Sequence, residues 1–204
     1  MANFDTQLLI NGANPVTVGG TGTSVKYFPA VPGASIGAAS NSYGFIFVPG
    51  ANRANGQRVS VLATGSFQCP AADATSPAVT IGLYAAFNLQ PGQVNPSNQK
   101  TSSSLSPALS ISTLASYQEP AATPGVVAVP WTLRANLNAD NDSELLQGDY
   151  SIQIDNGSVQ SGAITSVAGV LMSQDIPIGL LIGVTFSQSG SGNTAKMYQF
   201  GLSL

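Results

Sequence analysis

The chain has 204 residues and a net charge of −3, and only 7% of its side chains are charged, against about 25% in ordinary soluble domains. Its six basic residues are scattered, which excludes binding to a phosphate backbone. There is no histidine and one cysteine, Cys69, so Ser-His-Asp and Cys-His catalysis, an internal disulfide and a thiolate metal cluster are all excluded.

The length suits one domain, residues 1–204, with a core that needs no disulfide or metal. The opening segment, 1–42, is rich in Gly, Ala, Ser, Pro and Asn. It reads either as an arm that packs on a neighbour or as an edge strand followed by a surface loop. Short strands are expected at Thr6–Ile10 and Val25–Phe28, and Phe4, Leu8, Leu9 and Ile10 are candidate interface residues. Met1–Ile10 lacks the basic and apolar regions of a signal peptide, so synthesis without secretion is expected. The glycine-rich Val18–Ser24 has no following lysine and reads as a turn rather than a phosphate cradle.

A strand is expected at Tyr43–Val48, ended by Pro49-Gly50. From Arg58 to Gln68 the residues alternate. Val59, Val61, Ala63, Gly65 and Phe67 form one face, and Arg58, Ser60, Leu62, Thr64, Ser66 and Gln68 form the other. Val79, Ile81, Leu83, Ala85 and Phe87 repeat the pattern, with Tyr84 on the polar phase. Residues 88–107 form a polar stretch with a single charge, Lys100, that reads as a loop, and Leu105–Tyr117 holds at most a short helix.

Strands at Val126–Val129 and Ile164–Met172 are also expected. Trp131, Leu133, Ala135 and Leu137 alternate with polar residues, as do Tyr150, Ile152 and Ile154, and then Ile182, Val184 and Phe186. In the final run, Tyr198, Phe200, Leu202 and Leu204 are expected on one side. About ten strands with turn-rich spacers predict an all-β fold, an antiparallel two-sheet sandwich of jelly-roll type. No run reaches the roughly 20 apolar residues of a membrane helix, so no membrane partner is expected.

Five of the nine acidic residues crowd between Asp140 and Asp155. Asn138, Asp140, Asp142, Glu144 and Asp149 match a calcium-loop spacing at positions 1, 3, 5, 7 and 12. Asn at the first position, Ser143 where Gly is wanted, and Asp149 in place of Glu all depart from it. A solvated connection between two strands is therefore expected, with no metal and no cofactor. Asp149 and Asp155 sit at opposite ends of one strand, about 20 Å apart at ~3.3 Å per residue, too far for a glycosidase pair. No catalytic residue is identified, and the chain is expected not to be an enzyme. A carbohydrate-binding face needs exposed aromatics. Trp131 falls on the inward phase and Tyr84 on the outward one, so Tyr84 is the better candidate.

Taken together, the low charge, the abundance of Ala, Gly, Ser, Thr, Asn and Gln, and the all-β pattern resemble the structural proteins of tailed-bacteriophage virions. The closest resemblance is to a capsid decoration (cement) protein. The resemblance runs through composition and architecture along the whole chain rather than through a motif. It implies a non-enzymatic protein of the virion that binds the major capsid protein or other virion proteins through protein–protein contacts. It also implies a homo-oligomer, with a trimer favoured. The alternative is a carbohydrate- or receptor-binding β-sandwich module, such as a phage fibre tip or a lectin-like domain.

Overall fold

The computed structural model describes residues 7–10, 15–19, 25–28, 46–48, 58–68, 78–86, 109–118, 128–140, 145–155, 157–164, 178–186 and 193–203. These hold twelve strands and no helix. In chain order they are β1 (Gln7–Ile10), β2 (Val16–Gly19), β3 (Lys26–Tyr27), β4 (Ile46–Val48), β5 (Arg58–Gln68) and β6 (Ala78–Ala86). The later ones are β7 (Leu109–Gln118), β8 (Val129–Asp140), β9 (Leu145–Ile154), β10 (Gln160–Ile164), β11 (Ile178–Phe186) and β12 (Thr194–Ser203).

The strands form two antiparallel sheets. The larger runs β1-β12-β5-β8-β9-β10, with β2 also on β12; the smaller runs β3-β11-β6-β7, with β4 also on β11. The chain passes from sheet to sheet repeatedly, and the fold is the expected antiparallel sandwich of jelly-roll type. Strand β7 at the rim of the smaller sheet also lies against β9 and β10.

Period-two alternation builds the core. Val59, Val61, Ala63 and Phe67 of β5 face Val79, Ile81 and Leu83 of β6 across the sandwich, with Trp131, Leu133, Ala135 and Leu137 of β8 alongside. Ile152 and Ile154 of β9 and Leu180, Ile182, Val184 and Phe186 of β11 complete the layer. Burying each large side chain contributes roughly 1.5–3 kcal/mol. Trp131 occupies the centre at 2% exposure. Its indole lies over Gly65 of the neighbouring strand, where a Cβ would strike both the ring and the Lys196 carbonyl. Phe28 packs against it, with ring centroids 6.3 Å apart. Among the described residues the Trp131 indole N–H has no hydrogen-bond partner.

Four sequence expectations change. Leu109–Gln118, which overlaps the segment Leu105–Tyr117 read as at most a short helix, is strand β7 and pairs along β6. Its Ser and Thr residues suit an extended edge better than a helix interior. Val126 and Val127 lie outside the described residues, and the strand expected there begins at Val129 as part of β8. Ile164 ends β10 instead of opening a strand, and 165–172 lie outside the described residues. Tyr198 does not share a face with Phe200 and Leu202. The register shifts between Met197 and Gln199, which pair with the adjacent Gly65 and Thr64. Tyr198 is the extra residue of a bulge, so the inward set becomes Ala195, Met197, Phe200 and Leu202.

The polar segment 88–107 lies outside the described residues, as do Cys69, Phe87 and Leu204. No helix among the described residues is long and apolar enough to cross a membrane.

Candidate functional site

Because β5, β8 and β12 bury one face, alternation turns a second set of side chains outward. On β5 these are Arg58, Ser60, Leu62 and Thr64; on β8 they are Thr132, Arg134, Asn136 and Asn138. Register then sets them in rows. Leu62 stands between Gly201 and Arg134, and Ser60 between Ser203 and Asn136. Beyond Asn136 comes Asp149 of β9.

Gly201 has no side chain, and the row through Leu62 is therefore low at its β12 end. The result is a groove of about 480 Å³ on the outer face, lined chiefly by Ser60, Leu62, Arg134, Asn136, Gln199 and Ser203. It crosses three strands, about 10 Å at ~4.8 Å per strand. The floor is apolar and the walls carry hydroxyl, amide and guanidinium groups.

The wall beside β9 is tied together. The Ser60 hydroxyl donates to Asn136 Oδ1 at 2.9 Å, and Asn136 Nδ2 donates to Asp149 Oδ1 at 2.8 Å. Arg58 reaches the other Asp149 oxygen at 3.5 Å, with both side chains more than half exposed. Asn136 is therefore held in one orientation from both sides. Gly148 precedes Asp149 and is pressed against the Asn136 backbone carbonyl, so closely that a Cβ there would collide with it. At the opposite end, Ser66 and the bulge residue Tyr198 share a hydrogen bond at 2.9 Å.

The candidate calcium loop takes a different form. Asn138 and Asp140 belong to β8 and pair with Gln147 and Leu145, while Asp149 sits inside β9 opposite Asn136. These positions lie along a ladder instead of curling about an ion. Asp142, Ser143 and Glu144 lie outside the described residues. Asp155 sits in the turn after β9 at a φ of 53°, where the Gly157 N–H donates to the Ile154 carbonyl at 2.9 Å.

Tyr84 faces outward from the smaller sheet, as its phase predicts, but it is only half exposed. Its ring lies against Gly82 and Gly183, a cross-strand pair, and Tyr27 meets it edge-on with centroids 5.0 Å apart. Burial pushes the Tyr84 phenol above its ordinary pKa. A ring engaged in this way is not an open stacking surface. Of the candidate interface residues, Leu8, Leu9 and Ile10 fall in β1, which pairs with β12 of the same chain, and Phe4 lies outside the described residues.

The groove was not among the sequence candidates. Its walls come from β5, β8 and β12, which are far apart in sequence, and only the register brings them together. The available signal was the outward phase of each strand.

No protein-family model matches the chain, and no curated protein does. Among solved structures, it is similar to the marine PL-14 alginate lyase from Aplysia kurodai at 9% identity and a TM-score of 0.42, covering 92% of this chain and 81% of that one. It is similar to a Lotus tetragonolobus seed lectin at 11% identity and a TM-score of 0.42, covering 99% and 97%. A third likeness is to the CBM2 module of the evolved Dit of Lactobacillus casei BL23 phage J-1, at 9% identity and a TM-score of 0.39, covering 98% and 96%. At such scores none of these likenesses carries an activity over to this chain.

Proposed function

We propose that this protein is a non-enzymatic binding module that takes a saccharide in the groove across β12, β5 and β8. The lining of the groove carries this reading. The Ser60 and Ser203 hydroxyls and the Asn136 and Gln199 amides both donate and accept, as a polyol requires, while Leu62 and Gly201 leave an apolar floor for C–H faces. Asn136 is oriented before any ligand arrives, which lowers the entropy lost on binding. The acidic side chain nearest this wall, Asp149, is engaged by Arg58 and Asn136, which suits a structural role better than proton transfer. A glycan array followed by calorimetry tests the reading. Asn136→Ala is expected to weaken the best ligand about tenfold. Absence of binding to any glycan at millimolar concentration would refute it.

A second reading, a phage virion component of the capsid-decoration kind, draws on the same face. Ser60, Thr64, Thr132, Asn136, Ser151 and Gln153 make an outer layer that is neutral apart from a few charges. Such a surface meets another protein without like-charge repulsion. The partners are then the major capsid protein or other virion proteins, the location is the virion, and the state is a homo-oligomer, with a trimer favoured. Light scattering on the eluted protein separates the two readings, since a strict monomer that binds glycans argues against decoration. A receptor-binding virion module would satisfy both.

A further inference from the structure

We propose that the saccharide held in this groove carries a carboxylate and that Arg134 binds it; the inference rests on the saccharide reading above. Among the described residues, Arg134 is the one charged side chain lining the groove, which makes this site positive in a chain of net charge −3. It is exposed, and among the described residues neither an ion pair nor a side-chain hydrogen bond engages it. The other outward arginine of this region, Arg58, is already committed to Asp149. Asp149 in turn is occupied by Arg58 and Asn136 and is not available to neutralise Arg134.

A free guanidinium is a planar fork that matches a carboxylate with two parallel hydrogen bonds. In register, Arg134 stands at the β8 end of the row that runs through Leu62 to Gly201. A ring lying over Leu62 therefore presents a substituent toward the guanidinium, while Ser60 and Asn136 on one side and Gln199 on the other remain for its hydroxyls. An acidic peptide fits less well. The groove lies on a sheet face where β5 is paired on both sides, so a peptide cannot gain the backbone hydrogen bonds of strand addition.

The test is calorimetry of the full chain against oligosaccharides in paired free-acid and methyl-ester forms, with oligogalacturonate as the first pair and poly-glutamate as the peptide probe. The acid is expected to bind about tenfold tighter than its ester. Arg134→Gln is expected to bring the two to equal affinity at an unchanged melting temperature, and Arg134→Lys to keep part of the preference. Equal binding of acid and ester by the unaltered protein overturns the proposal and leaves the saccharide reading standing. Binding of neither overturns the proposal, and a glycan array that is blank as well overturns the saccharide reading with it. A preference that survives in Arg134→Gln, or poly-glutamate binding as tightly as the acid saccharide, also overturns it.

Discussion

Gly148 is the residue on which the groove wall depends most directly. A Cβ at this position would collide with the Asn136 carbonyl, which is backbone and cannot swing aside. Gly148→Ala is expected to destabilise the protein by about 3 kcal/mol, the upper end for overpacking, measured by denaturant unfolding. Asn136 sits beside it, so the same change should also weaken ligand binding. Tyr84 offers a test in pH. Burial holds its phenol above the ordinary value of 10.0, so the unfolded chain ionises first as pH rises. Its contribution is intact below about pH 10 and is lost as pH rises through the higher folded value. Melting temperature followed from pH 9 to 11.5 is expected to fall less steeply in Tyr84→Phe than in the unaltered protein. Lys26, whose pKa burial lowers, acts in the opposite direction but is common to both proteins.

Among the elements, the bulge in β12 carries the clearest consequence. It places Tyr198 on the outer face, where its hydroxyl meets Ser66, itself only 5% exposed. Tyr198→Phe and Ser66→Ala are each expected to lower stability by about 1 kcal/mol. The double variant should lose less than the sum, a coupling that a double-mutant cycle measures. This element also marks how far the sequence could be read. Strict alternation made β5, β8 and β9 legible down to their buried residues, including Trp131. One inserted residue in β12 takes Tyr198 off the face it was expected to share with Phe200 and Leu202, which keep theirs, and nothing local announced it. Leu181 is a second case. It is fully buried although it lies on the outward phase of β11 opposite Tyr84. Strand β7 was obscured for another reason: its Ser and Thr residues blur the contrast between faces on which period-two recognition relies. The groove was legible only as outward-facing polar residues, since their neighbours are set by pairing between distant strands.

For the molecule as a whole, the pairing order gives β12 an unusual role. It lies between β5 on one side and β1 and β2 on the other, so the C-terminal strand joins the N-terminal strands to the body of the larger sheet. It also carries Ala195, Met197, Phe200 and Leu202 into the core. Removal of residues 194–204 is expected to abolish the cooperative unfolding transition, as followed by tryptophan fluorescence and calorimetry.

The position of β12 also bears on how the chain is made. During synthesis β5 leaves the ribosome long before its partner β12, with Val59, Val61 and Phe67 along a strand that still lacks a neighbour on that side. The larger sheet can close on that side only once β12 is free of the exit tunnel. From the emergence of β5 to that of β12 the nascent chain therefore carries an open, nearly uncharged strand edge, the kind of template on which neighbouring chains aggregate. Slow elongation should lengthen that exposure rather than relieve it, and yields in recombinant hosts are expected to rise with a holding chaperone bound until β12 has emerged.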